Sequence, residues 1–181
     1  MPLRRIEEAV KTSGVAWTIL RPAWFVQNFT AGFFAEGVRE RGELIAPTGD
    51  GRVPFIDAHD IAAVAAAALT EGGHAGREYA LSSDLAHTFA EAAALLTDAL
   101  GRPVRHVDVP SRAWVWAGVS AFGVPADYAA FLAERFDAIR VGEDAYISDG
   151  VEQALGHAPT PLARALAREL ADTVVAGADP R

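Results

Sequence analysis

Two groups of residues in this sequence have types and spacings that could serve chemistry. The first is the stretch GVAWTILRPAWFVQNF, Gly14 to Phe29, an apolar run that ends in Arg21 and Pro22 and opens into the aromatic residues Trp24, Phe25, Phe29, Phe33 and Phe34. Rings gathered at the end of a buried strand can wall a ligand site, because open α/β sheets place their ligand crevice beyond the carboxyl ends of the strands. Aromatic residues at helical spacing are equally what a core requires, so the residues by themselves leave both uses open. The second group is titratable: Asp57 and Asp60, and His106 and Asp108. Asp57 and Asp60 stand at the N-cap and third positions of an alanine-rich helix, where carboxylates satisfy free amides, and capping accounts for both. His106 and Asp108 share one face of a strand, where a carboxylate could orient an imidazole, but no nucleophile accompanies them.

Other chemistries are excluded more firmly. GDGRVP, Gly49 to Pro54, begins like a phosphate-binding glycine loop, yet Pro54 replaces the third glycine and a strand follows where a helix N-terminus is needed, so it reads as a hairpin turn. The five histidines, His59, His74, His87, His106 and His157, have no metal-site spacing, and the chain has no cysteine to supply a thiolate ligand or nucleophile. No metal is expected. A net charge of −8 and a pI near 5.0 argue against a phosphate-backbone partner, so nucleic acid is not expected. The longest apolar run, Ile61 to Leu69, is too short to span a bilayer, and the N-terminal residues carry charges where a signal peptide needs an apolar stretch. No membrane partner is expected, and a cytoplasmic location fits.

These residues need a framework, and the 181-residue chain, 51% hydrophobic and 22% charged, has the size and balance of a single globular domain over 1–181. Leu3, Ile6 and Val10 recur at helical spacing before Gly14, predicting a surface helix. VAWTIL predicts a parallel strand covered on both faces, stopped by Pro22. ELIAPTGDGRVPFID predicts two strands around a Gly-Asp-Gly turn, REYALSS and VRHVDV two more strands, and Thr88 with Glu91 a capping box before a helix that ends at Gly101. Helical sequence from Ser111 is interrupted near Gly123 to Pro125, and Leu162, Leu166, Leu170 and Val174 form a single apolar stripe on the last helix. Strands alternating with helices give an α/β architecture whose C-terminal third is mostly helical.

At SGVAWTILRPAWFVQNF the sequence resembles the NmrA-like, atypical short-chain dehydrogenase/reductase group, which includes NAD(P)H quinone oxidoreductase-like and azoreductase-like proteins. The resemblance continues, in the family's order, through VPFIDAHDIAAVAAAAL, GREYALSS, TFAEAAALLTDALGRPVRHVDVP and ISDGVEQALGHAPTPLARALAREL. It implies a partial NAD(P)-binding Rossmann-like fold, made of the last strands of a parallel sheet and a mostly helical substrate lobe, with the N-terminal glycine-loop βαβ units absent. It implies hydride transfer from NAD(P)H to a quinone-like or other small planar acceptor, with Pro22, Ala23, Trp24 and Phe25 as cofactor-wall residues and Asn28, Phe29 and Phe34 on the substrate side. The family's Tyr-x-x-x-Lys pair, or the histidine that replaces it, would fall at or before Leu3 and Arg4, so no catalytic residue is assigned. The expectation is therefore a C-terminal portion of such an oxidoreductase; the alternative is a non-catalytic remnant or interaction module that no longer binds dinucleotide alone. With its flanking strands absent, the VAWTIL strand would leave an exposed sheet edge, and the chain is expected to be either poorly soluble or self-associating through it.

Overall fold

The computed structural model describes residues 2–122 and 124–176; Gly123 and the side chains of Leu3 and Val174 lie outside the described residues. Helix α1 (Pro2–Thr12) runs into strand β1 (Thr18–Pro22). The helix lies on the surface, but its apolar face is not buried: Ile6 is 60% exposed and Val10 lies open beside it. Charge holds the helix in place. Glu7 accepts two hydrogen bonds from Arg21 at 2.9 and 2.7 Å, Arg21 also reaches Glu78 at 2.6 Å, and Lys11 pairs with Glu78.

Strand β1 departs from its expectation in three ways. It begins at Thr18 rather than Val15, it runs through Pro22, and its residues are half-buried or exposed rather than covered on both faces. The helix β1 precedes in the chain order, α2 (Ala58–Thr70), follows two short strands, β2 (Glu43–Ile45) and β3 (Arg52–Val53), and leads into β4 (Arg77–Leu81). Strand β4 pairs with β1 in parallel, Thr18 opposite Arg77 and Pro22 opposite Leu81. Ala23 donates its amide to Leu81 at 2.8 Å, so the alternate amides of Arg21 and Ile19 face β4 and position 22 faces away. The missing N–H of Pro22 thus falls on the side that has no strand among the described residues, where it costs no ladder bond.

Beyond β4 come β5 (His87–Thr88), α3 (Phe89–Leu100), β6 (Arg105–Val107), α4 (Ser111–Phe122), α5 (Ala126–Arg140), α6 (Gly150–Leu155) and α7 (Leu162–Ala176). The Gly-Asp-Gly segment is a turn, with Gly51 donating to Thr48 at 3.0 Å, but it does not make a hairpin. Strand β2 pairs in parallel with β6, and β3 pairs antiparallel with β5, so the turn hands the chain from one two-stranded unit to another. Its glycine answers a packing need: a Cβ on Gly51 would run into the Ile139 carbonyl of α5. The capping box is present, with Thr88 Oγ1 accepting from the Glu91 amide and Glu91 accepting from the Thr88 amide, both at 3.0 Å. Leu162, Ala165 and Leu166 of α7 are buried, and Leu170 packs against the same core, so the stripe faces inward.

The main core is aromatic. Phe29, Phe34, Phe55, Phe89 and Phe136 are all buried and in mutual ring contact, joined by Leu44, Leu96, Ile139 and Leu166. A second, smaller cluster of Ile56, Val64, Tyr79, Leu81 and Val151 lies under β1 and β4. Helix α6 begins directly against β4: a Cβ on Gly150 would run into the Ala80 carbonyl, so only glycine allows this approach.

Candidate active-site wall

The segment after β1 is held first by β4 and then by an isolated bridge to Ile56. Ala23 continues the ladder with Leu81; then Trp24 accepts from the Ile56 amide and Val26 donates to the Ile56 carbonyl, each at 2.9 Å. Residues 23–26 are therefore stretched across the C-terminal ends of the parallel β1 and β4 strands, the edge where such sheets bind ligands. In this pairing the Phe25 amide points away from Ile56. A short 3₁₀ turn over Val26–Phe29 follows, and the Gln27 carbonyl accepts from Thr30, Ala31 and Gly32.

This geometry divides the aromatic cluster. Trp24 stacks on Phe136, centroids 5.1 Å apart and planes 27° apart, meets Phe33 edge-on at 6.4 Å, and donates from Nε1 to Asp144 Oδ2 at 3.0 Å. Phe25 and Phe33 are 39% and 46% exposed, whereas Phe29 and Phe34 are 1% and 5% exposed. Phe29 and Phe34 stack on each other within the core and present no ring face to a ligand; the exposed rings of this segment are Phe33, which meets Trp24 edge-on, and Phe25, which follows Trp24 in extended backbone and so points to the opposite face. The helical spacing of Phe25, Phe29 and Phe33 misleads because the backbone here is a 3₁₀ turn followed by irregular turns, not one α-helix. Asn28 is half-buried, with its Oδ1 against Gly32 and no side-chain hydrogen bond among the described residues. Pro22 is exposed and Ala23 half-buried at the same edge.

Beneath the wall lies a polar network. Asp57 is fully buried and accepts from Gln27 Nε2 and the His59 amide at 3.0 Å each and from an Arg168 terminal nitrogen at 2.6 Å. Gln27 Oε1 accepts from the Ala58 amide at 3.0 Å, so Gln27 and Asp57 together cap α2 while tying the 3₁₀ turn to α7. Burial alone would push the Asp57 carboxyl up; the hydrogen bonds from Arg168, His59 and Gln27 outweigh it and hold the group below the usual carboxylate range. Asp57, His59 and Glu169 offer ligand atoms within 4.8 Å of one another, but the Arg168 guanidinium stands among them, 2.9 Å from His59 Nδ1 and 3.3 Å from Glu169, in the place a cation would take.

The remaining candidates are structural. Asp60 does not serve its own helix's amides; it accepts from the Thr160 amide and hydroxyl at 2.7 and 2.9 Å and pins the segment before α7. His106 and Asp108 do not meet in function: His106 Nε2 bonds the Ala46 carbonyl at 2.9 Å, while Asp108 accepts from the Gly49 amide at 3.0 Å and from Arg140 at 2.5 Å. Asp144, 120 positions from Trp24, and Arg168, 111 from Asp57, carry no local sequence signal.

A sequence model described as the NmrA-like family matches residues 4–167. The chain belongs to the NmrA-like family. Among its relatives, an NAD(P)H azoreductase of Xenophilus azovorans is 46% identical over 103 residues, which are 57% of this chain and 35% of that protein. Quinone oxidoreductase 2 of Escherichia coli is 32% identical over 160 residues, 88% of this chain and 55% of that protein. An Escherichia coli NADPH-dependent quinone oxidoreductase solved with NADPH superposes with a TM-score of 0.77 at 30% identity, covering 91% of this chain and 57% of that one. A Citrobacter triphenylmethane reductase solved with NADP(H) gives 0.74 at 32%, covering 93% and 60%. The chain thus spans between about a third and just over half the length of the curated relatives it matches, and the NmrA-like fold shared with these structures is the Rossmann-like one expected from the sequence.

Proposed function

We propose that the residues around Trp24 form the acceptor-side wall of a cytoplasmic NAD(P)H-dependent oxidoreductase whose acceptor is a flat, quinone-like molecule. The observation that carries this reading is the exposed Phe33 ring set edge-on to an immobilised Trp24, with the exposed Phe25 next in the chain, beyond the C-terminal ends of β1 and β4. In the reading, Pro22, Ala23, Trp24 and Phe25 lie against the nicotinamide end, and Asn28 with Phe33 against the acceptor, while Phe29 and Phe34 support the wall from the core. The relatives' names supply the reaction class; the wall supplies the fit.

The described residues suit one end of a dinucleotide only. Apolar rings and the outward Phe25 amide match a flat ring carrying a carboxamide. No glycine loop opens a helix here among the described residues, and the α2 N-terminus beside the wall is already capped by the Asp57 carboxylate, which repels a pyrophosphate. Other residues must hold the phosphates. When bound, the dinucleotide supplies the hydride. The chain's own part is to orient and to exclude water: Trp24, fixed by Phe136 and Asp144, sets a rigid surface, Phe25 backs the nicotinamide end, Phe33 covers a face of the acceptor, and the Asn28 amide is placed to donate to a carbonyl oxygen. A second copy pairing along the open edge of β1 completes this reading.

Calorimetric titration with a water-soluble naphthoquinone tests the wall directly. Trp24→Ala is expected to weaken quinone binding about tenfold or more and to lower NADPH-dependent turnover wherever the phosphates are also held, with the fold retained. A flat titration of the unaltered protein, or identical affinity in the variant, overturns the reading.

A further inference from the structure

We propose that residues 144–148 form the outer wall of the acceptor site, with Asp144 as the positioning residue that clasps Trp24 and with Tyr146 and Ile147 as the side chains that meet the acceptor. The proposal rests on the function proposed above and extends it to a segment more than a hundred positions away in the chain.

The connection from α5 to α6 could loop freely into solvent. Instead it is fastened at two points, one on the wall already described and one on the end of β4. Asp144 Oδ2 accepts from Trp24 Nε1 at 3.0 Å. Four residues on, the Ser148 amide donates to the buried Ser82 Oγ at 2.8 Å, and the Ser148 hydroxyl donates to the Ala80 carbonyl at 2.6 Å. Ala80 and Ser82 flank the C-terminal end of β4, the strand parallel to β1, so one fastening holds the ring and the other holds the strand end beside it. With a Cα spacing of about 3.8 Å, no residue between Asp144 and Ser148 can stray more than about 8 Å from a fastened one. Residues 145–147 therefore lie between the Trp24 indole, which Phe33 meets edge-on, and the C-terminal end of β4.

Their side chains are nevertheless unspent. Tyr146 is 75% exposed and Ile147 44%, and the Tyr146 hydroxyl has no hydrogen-bond partner among the described residues. Tyrosine offers a flat apolar face with few rotatable bonds and a hydroxyl that can donate to a carbonyl oxygen, which are the two features a quinone-like acceptor presents in return. The Asp144 carboxylate makes a charge-assisted bond to the indole, so it fixes both partners: the ring on one side and the start of the segment on the other.

The test uses the same naphthoquinone titration, with melting temperature followed in parallel. Tyr146→Ala and Asp144→Ala are each expected to weaken quinone binding about tenfold with little change in melting, and Asp144→Asn, which keeps an acceptor oxygen, to stay near the unaltered protein. Trp24→Phe removes the indole N–H while leaving a ring to stack on Phe136, so adding it to Asp144→Ala should weaken binding no further than either change alone; it also tests the clasp should Asp144→Ala fail to fold. If the unaltered protein binds quinone and Trp24→Ala weakens it, but Tyr146→Ala and Asp144→Ala bind as before, the outer wall is wrong and the function stands. If the unaltered protein does not bind quinone, both fall.

Discussion

The aromatic core and the α1–β1 flank make opposite use of similar residues. Around Phe136, which is fully buried, stand Trp24, Phe33, Phe34, Phe89 and Trp114, all in ring contact with it. On the flank, Ile6 and Val15 are 60% and 62% exposed, and the helix is joined to the sheet through Glu7, Arg21, Glu78 and Lys11. Apolar residues are buried in the first region and exposed in the second, because burial needs a facing surface as well as apolar side chains. The candidate wall sits where the two meet, with Trp24 stacked on the core and its strand belonging to the flank. It combines a rigid back with an open front, which is what a site must have.

The sharpest way to break the contrast is Phe136→Ala, expected to cost about 3–5 kcal/mol in denaturant unfolding, the scale for emptying a packed aromatic position. A loss below about 1 kcal/mol would mean that the core is not the stable half. Next in size is Asp57, the buried carboxylate joining the 3₁₀ turn, α2 and α7. Asp57→Ala should cost about 3 kcal/mol, since it leaves buried donors and Arg168 without their partner. Its pH dependence follows from the lowered pKa: the stabilisation is fully present above the ordinary carboxylate value and is lost as pH falls through the lower folded value. The melting temperature should therefore fall below about pH 4, and less steeply in the Asp57→Ala protein. The smallest effect belongs to the flank. Arg21→Ala should shift melting by less than about 3 °C and by less still in 1 M salt, because exposed ion pairs are weak and screened; amides of α1 should exchange with solvent faster than those of α3, and equal protection would refute the division.

What the sequence made legible was local. The Thr88–Glu91 capping box, Asp57 as an N-cap, the REYAL strand and the inward stripe of α7 each depend on residues within a turn or two of one another, where spacing determines contact. Several misreadings involve partners far apart in the chain. The Gly-Asp-Gly turn looked like a hairpin because its strands are adjacent in sequence, but their partners are β6 and β5. Asp60 read as a helix cap, yet its acceptors are spent on Thr160. Within the wall, the placement of Trp24 and Phe25 at a strand end could be read directly. That Phe29 and Phe34 turn inward while Phe33 stays open depends on a 3₁₀ turn that no periodicity announces. The Trp24–Asp144 bond joins residues whose neighbours in sequence give no hint of each other.

The close approach of Gly150 to the Ala80 carbonyl bears on how freely the neighbouring connection can be redesigned. With α6 pressed against β4, the downstream end of the 141–149 connection cannot shift, and the Asp144 bond to Trp24 marks a stop at the upstream end. Residues 145–147 thus form a cassette of fixed span between two docking points, neither of which depends on the identity of the side chains within it. Under the proposed outer wall, randomising those three positions is a compact library for changing ligand choice while the scaffold beneath is left alone, and variants that keep Asp144, Ser148 and Gly150 should express and melt alike.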